Sequence, residues 1–268
     1  MPDYSWIDES SLLMFVFYPR SDSTPCPPDG FDRFWTVDED VSVHTRFYVG
    51  DRKWPWVLFF HGNGEVVSDY DQIAPLYHQR RINLVVADYR GYGASGGKPS
   101  LTDLVKDAHT LFKGVKEETS KTDGESGLWI MGRSLGSISA IELAYHYPSE
   151  IRGLIIESGF SSVVRIMSHL GMPGQGIELR KVDQDCLEMI RAIRVPALII
   201  HGESDMLVPL GEAEDLHEQL GSEKKDLLII PSANHNDIML VGGRRYFDAI
   251  RKFIEKGRKG GIAGPEGR

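Results

Sequence analysis

The chain has 268 residues, of which 41% are hydrophobic, and 30 basic against 39 acidic side chains give it a formal net charge of -9. The length and apolar content suffice for one α/β domain with a large core, and the whole chain, 1–268, reads as a single domain. The acidic balance argues against a nucleic-acid partner, because neutralising phosphates needs a basic surface; two cysteines, Cys26 and Cys186, give no disulfide framework and read as free thiols in a reducing, cytoplasmic compartment.

The opening Met1-Pro2-Asp3-Tyr4 has neither the cationic start nor the long apolar stretch of a secretory signal. The run Leu12–Tyr18 falls well short of the roughly 20 residues of a membrane helix, so a strand or a packed segment is expected there and no stable membrane insertion. Prolines at 25, 27 and 28 mark 21–29 as a surface connection. Apolar runs at 34–38 and 41–49 suggest an antiparallel entry. Strands are then expected at 56–60, 83–87, 128–131, 153–157, 197–200 and 227–230, alternating with amphipathic helices. That alternation predicts a mostly parallel sheet with helices on both faces. A last helix is expected from about Ile238 to Ile254, and the Gly-rich, charged tail 256–268 is expected to fray.

Chemistry concentrates at strand ends. Gly132-Arg133-Ser134-Leu135-Gly136 follows the apolar run Leu128–Met131 and opens a helical pattern from Ser137 to Tyr147. A G-x-S-x-G sequence between strand and helix places a serine on a sharp turn with its hydroxyl at the sheet's edge. The acid and histidine that such a serine requires follow in order: Asp205 after the strand at 197–200, and His235 after the strand at 227–230. Glu157, also at a strand end, is the competing acid. Trp56–Phe60 runs into His61-Gly62-Asn63-Gly64, a Gly-rich loop, and the backbone amides of Asn63 and Leu135 are the candidate donors to an oxyanion. His61 and His201 each precede a glycine at a strand end and read as loop braces, whereas His109 and His217 fall inside helical patterns. Asp237 reads as a cap of the final helix.

On these motifs the chain resembles the α/β-hydrolases, specifically the branch with F-H-G-N, Y-R-G-Y-G-x-S-x-G and G-R-S-L-G sequences, here at Phe60–Asn63, Tyr89–Gly97 and Gly132–Gly136. The resemblance runs from Tyr18-Pro19-Arg20 to the Asp205 and His235 loops. It implies an eight-stranded sheet and a serine hydrolase acting on acyl esters or thioesters, the branch including protein depalmitoylases. Related depalmitoylases carry an N-terminal cysteine cluster for acyl anchoring, of which this chain has only Cys26. The segment 158–194 occupies the usual place of a lid and is short. Within it, Met167, Leu170, Met172 and Met189 offer adaptable apolar side chains that either line an acyl pocket or pack the lid onto the body. The loop Asp88–Gly93 is expected at the rim of the site, with Asp88 making turn hydrogen bonds. Arg133 either meets an anionic substrate group or pairs with a carboxylate such as Glu157.

The expected reaction is acyl transfer to water, with Ser134 as nucleophile, His235 as general base and Asp205 fixing the imidazole. The substrate is then a small or acylated molecule, and the reaction needs no cofactor. No metal site is expected, since no histidine pair shows the close helical spacing of a zinc ligand set. The alternatives are a peptidase or amidase using the same residues and a binding protein that keeps the fold without the chemistry.

Overall fold

The runs at 56–60, 83–87 and 128–133 are apolar or small at almost every position, which suits strands buried on both faces. In a computed structural model, which describes residues 2–121, 127–172 and 176–260, the strands are β1 Gly30–Asp38, β2 Val41–Tyr48, β3 Trp56–Phe60, β4 Asn83–Ala87, β5 Leu128–Arg133, β6 Leu154–Glu157, β7 Ala197–Gly202 and β8 Lys225–Ile230. They form one eight-stranded sheet in the order β1-β2-β4-β3-β5-β6-β7-β8. β2 runs antiparallel to both neighbours, and every later pairing is parallel. The expected fold class is thus observed, with an antiparallel entry. β1 starts at Gly30, ahead of the expected Phe34, because Gly30 already pairs with Tyr48 and Phe31 stacks on Phe47 at 4.6 Å.

The helices are α1 Ser5–Asp8, α2 Ala74–His78, α3 Leu101–Ser120, α4 Ser137–His146, α5 Val163–His169, α6 Ile177–Ala192, α7 Leu210–Gln219 and α8 Ile238–Gly260. Side-chain alternation along the strands divides them between two cores. Leu58, Phe60, Ile130 and Ile156 pack with α3, α4, α6 and α7, while Val57, Phe59, Trp129 and Met131 pack with α2 and α8. Full burial stabilises each such aliphatic or phenyl side chain by roughly 1.5–3 kcal/mol. Both sheet faces are therefore covered, and the loops at the C-terminal ends of the parallel strands form the open edge where ligands bind in such sheets.

Three expectations are narrowed or corrected. Of the two readings of the run at 12–18, the packed segment is observed and the strand is not. Ser11–Phe15 forms a 3₁₀ turn whose first turn is closed by the Ser10 hydroxyl accepting from Leu12 N–H at 3.2 Å. Leu12, Val16 and Phe17 point inward, a spacing that a strand's two-residue alternation cannot produce. This segment is held at its start by Asp8, whose carboxylate accepts the N–H groups of Leu101 (2.8 Å) and Thr102 (3.0 Å) at the head of α3. Second, α8 runs to Gly260, past its expected end near Ile254 and into the charged tail; Gly257 lies against the Trp129 indole. The remainder of that tail, 261–268, lies outside the described residues. Third, α8 bends at Gly243, whose φ of 44° and ψ of -125° interrupt the helix. No described helix is long and apolar enough to cross a membrane.

Candidate active site

The turn from β5 into α4 is tight enough to dictate its own residues. Ser134 has φ +50°, a left-handed conformation that costs a side-chain-bearing residue on the order of 1 kcal/mol or more. The two flanking glycines are required by close approach: a Cβ on Gly136 would sit 2.1 Å from the Phe60 carbonyl oxygen, and one on Gly132 would sit 2.3 Å from the Gly136 oxygen. The elbow is thereby pressed against the end of β3. Ser137 locks it by donating its hydroxyl to the Ser134 carbonyl at 2.6 Å.

Ser134, His235 and Asp205, 101 and 30 residues apart along the chain, meet at this edge. The Ser134 hydroxyl lies 3.0 Å from His235 Nε2, and His235 Nδ1 lies 2.7 Å from Asp205 Oδ2. The other Asp205 oxygen accepts the N–H groups of Leu207 (3.0 Å) and Val208 (2.8 Å), which fixes the carboxylate plane. Burial alone pushes the Asp205 carboxyl up, but the hydrogen bond and charge of His235 outweigh it and hold the group below the ordinary carboxylate range. Asp205 is therefore ionised where it faces the imidazole. Such a line can move the serine proton onto His235 while the carboxylate keeps the ring oriented.

Glu157, the competing acid, is engaged elsewhere. It is fully buried, accepts a hydrogen bond from the Tyr246 hydroxyl, and lies 3.5 Å from Arg133. Burial raises its pKa despite the arginine.

A cavity of about 500 Å³ opens over Ser134 and His235. Met167, Leu170 and Met172 all line it, as do Asn63 and Leu135. Met189 packs instead into the core beneath. Phe15, Val16 and Tyr18 supply the facing wall. Their role was not visible in the sequence, where an apolar run far from the motifs carries no sign of what it faces.

The Asn63 side chain is consumed by that wall: its Oδ1 accepts from Tyr18 N–H (2.9 Å) and the Tyr92 hydroxyl (2.6 Å), and its Nδ2 donates to the Val16 carbonyl (2.7 Å). With the side chain so engaged, the backbone amide of Asn63 is the group placed to meet a ligand. Leu135 follows the serine at the start of the helical turn, where N–H groups and the helix dipole favour an anion.

Arg133 pairs with carboxylates, as one of its two readings held. Its principal partner is one the sequence did not reveal: Nε donates to Glu65 Oε1 at 2.8 Å. Its two other nitrogens donate to the His235 carbonyl and to Asn236 Oδ1, each at 3.1 Å. Glu65 in turn accepts the Gly62 N–H (2.8 Å) and the Tyr70 hydroxyl (2.7 Å). Burial opposes its ionisation, but the charges of Arg133 and His61 prevail and hold its carboxyl below the usual range. One buried guanidinium thus ties together the elbow, the Gly-rich loop and the histidine loop.

His61 and His201 are braces, as expected: His61 contacts Asp88 and the Gly62 carbonyl, and His201 contacts the Val208 carbonyl at 2.8 Å. Asp88 differs from its expected turn role. Its carboxylate holds His44 and His61 and accepts the Val67 N–H, all at 3.1 Å, tying three segments together. The loop 88–93 lies beneath the site, with Tyr89 donating to the His61 carbonyl, and it does not line the cavity. Asp237 does not cap α8 with its side chain; its carboxylate accepts the Asn234 N–H at 2.7 Å and closes the turn that presents His235.

The eight-stranded mostly parallel sheet with its strand–elbow–helix turn defines an α/β-hydrolase. Within that class the chain belongs to the Hydrolase_4 family, serine aminopeptidase S33, which it matches over residues 53–171 and 166–239. An uncharacterized protein of Mycobacterium tuberculosis is 30% identical over 203 residues, covering 75% of this chain and 69% of its own. Protein bem46 of Schizosaccharomyces pombe is 31% identical over 210 residues (75% and 67%). Among solved structures, the Pyrococcus furiosus esterase Pf2001 superposes with a TM-score of 0.71 at 20% identity over 90% of this chain and 99% of its own. A Paleococcus ferrophilus monoacylglycerol lipase gives 0.63 at 18% identity over 80% and 99%. The protein is a hydrolase of this fold.

Proposed function

We propose that the protein hydrolyses acyl esters or thioesters through an acyl-enzyme on Ser134. The observation that carries this is the line Ser134–His235–Asp205, with separations of 3.0 and 2.7 Å, at the floor of an apolar cavity. His235 takes the hydroxyl proton as Ser134 attacks the carbonyl. The oxyanion accepts from the N–H groups of Asn63 and Leu135, and His235 returns the proton to the leaving alcohol or thiol. Water, activated by the same imidazole, then releases the acid and regenerates Ser134. Met167, Leu170 and Met172 hold the acyl chain under a lid made of α5 and α6. A cavity of about 500 Å³ is ligand-sized rather than acetyl-sized, since small-molecule sites fall at roughly 300–1,000 Å³. The preferred acyl group is accordingly longer than butyryl.

The family description raises an aminopeptidase as the second reading. An aminopeptidase holds its substrate's charged α-amine, which calls for an unpaired carboxylate facing the cavity. Among the described lining residues the one carboxylate is Glu65, already bonded to Arg133, Tyr70 and Gly62. That favours the ester reading.

The test is turnover of a p-nitrophenyl ester series from acetate to palmitate beside aminoacyl p-nitroanilides, with fluorophosphonate labelling and Ser134→Ala as control. Ester turnover that rises beyond butyrate, and drops by roughly 10⁶-fold in Ser134→Ala, is expected. Anilide turnover exceeding ester turnover would establish the peptidase instead. Neither turnover nor labelling would leave a binding protein.

A further inference from the structure

Away from the serine, on the face covered by α3 and α4, two helices bring together a group that the hydrolase reaction does not use. Glu142 and His146 stand one turn apart on α4, and His109 faces them from α3. The Nε2 atoms of His109 and His146 lie 3.1 and 2.9 Å from the same carboxylate oxygen, Glu142 Oε1. Among the described residues this is the group whose metal-ligating atoms converge, all within 4.8 Å of one another.

We infer that His109, Glu142 and His146 form a binding site for one divalent transition-metal ion, with zinc as the ligand to test. Three features support it. The first is the donor set, since two imidazoles and one carboxylate suit zinc and its neighbours and are not the all-oxygen shell of magnesium or calcium. The second is spacing. Bonds of about 2.0–2.2 Å at the tetrahedral angle separate ligand atoms by roughly 3.4 Å. The observed 3.1 and 2.9 Å need to open by only a few tenths of an ångström.

The third is orientation. Nδ1 of His109 lies 2.9 Å from the Tyr147 hydroxyl, which holds the ring with Nε2 aimed at the carboxylate, as outer partners do for metal-bound histidines. When that hydroxyl accepts from Nδ1, the Nε2 and Oε1 lone pairs face each other, and a cation between them removes the repulsion. Glu142 is 1% exposed, whereas the imidazoles of His109 and His146 are 25% and 31% exposed. The three ligands thus leave a solvent-facing fourth position for water. A bound ion would clamp α3 to α4, the helix whose first residues follow the serine elbow.

Sequence inspection misses this arrangement because it searches for ligands along one helix, and here the third ligand comes from another. The experiment is titration of the chelator-stripped full-length protein with zinc by calorimetry and thermal unfolding, and with cobalt(II) by visible absorption. Expected are one ion per chain, a rise in Tm and a tetrahedral-type cobalt spectrum. His109→Ala and His146→Ala should each abolish all three while leaving ester turnover unchanged. Tyr147→Phe, which removes only the hydroxyl behind His109, should weaken binding by roughly 10- to 100-fold. The site is overturned by the absence of stoichiometric binding, or by binding that survives both histidine variants and is lost in His235→Ala or His44→Ala. If Glu142→Gln fails to fold, the histidine variants alone decide.

Discussion

Two histidine–carboxylate groupings lie in the molecule, one past the ends of β7 and β8 and the other joining β2 to the ends of β3 and β4, and they differ in what the second ring nitrogen meets. In His235–Asp205, Nδ1 faces the carboxylate at 2.7 Å and Nε2 faces the Ser134 hydroxyl at 3.0 Å under an open cavity. In the Asp88 group, His61 spends its other nitrogen on the Gly62 carbonyl at 2.8 Å, and the far nitrogen of His44 lies 3.1 Å from Asp32. Asp88 and His61 are fully buried. Under the proposed function the same pairing of side chains serves proton transfer in one place, while in the other it serves cohesion. The difference is a hydroxyl and a space for substrate, and no local property of the imidazole or carboxylate decides it.

The sharpest way to break this contrast is to neutralise each carboxylate. Asp205→Asn should cut kcat by about 10⁴-fold, because the amide presents the wrong partner to Nδ1 and disturbs the tautomer, while the fold persists. Unfolding curves beside steady-state kinetics check it, and a variant that loses stability in proportion to activity would place Asp205 with the structural group. Asp88→Ala should do the opposite. Leaving two buried imidazoles without their carboxylate should destabilise by about 3–5 kcal/mol in denaturant unfolding, with turnover per folded molecule largely retained. A soluble, stable Asp88→Ala protein with no turnover would make Asp88 part of the chemistry.

A smaller effect sharpens the role of the cavity. Leu170 is exposed at the cavity mouth, so Leu170→Trp narrows the entrance without disturbing the core. It should lower kcat/KM for long-chain esters by roughly tenfold and leave acetate unchanged. Equal loss at every chain length would remove this wall from acyl binding.

The smallest effect concerns pH and the structural pair alone. Burial lowers the His44 pKa, but Asp88 and Asp32 together raise it above the ordinary imidazole value; Asp88, opposed by burial, is held below the carboxylate range by His44 and His61. A raised histidine contributes stability that is complete below about pH 6.5 and lost as pH rises through its folded value. A depressed aspartate contributes stability present above about pH 4 and lost as pH falls through its folded value. The group is therefore most stabilising between about pH 4 and 6.5. His44→Gln should flatten the decline of Tm on the alkaline side; an unchanged slope there would assign the decline to other groups.

Much of this was legible in the chain. The strands at 56–60, 83–87 and 128–133 announce themselves by continuous apolar character, and the serine elbow by glycines that nothing larger can replace. The order of Ser134, Asp205 and His235 is a consequence of which strands feed the open edge, so position after a strand was enough to propose them. The turn at 11–15 was not legible, because an isolated apolar run fits several local structures until its partners exist. Nor was Glu65, whose value comes from Arg133, 68 residues away.

What the sequence determined by itself was everything set by short-range sterics and periodicity: the alternation of strands and helices, the elbow, and the loops that follow strand ends. The tertiary structure alone decided several charge pairings that strand order leaves open. It gave Arg133 to Glu65 rather than to a substrate, Glu157 to Tyr246 rather than to His235, and His109 to Glu142 across two helices. Electrostatic partners are chosen by distance in space and by burial, and neither quantity is a function of separation along the chain.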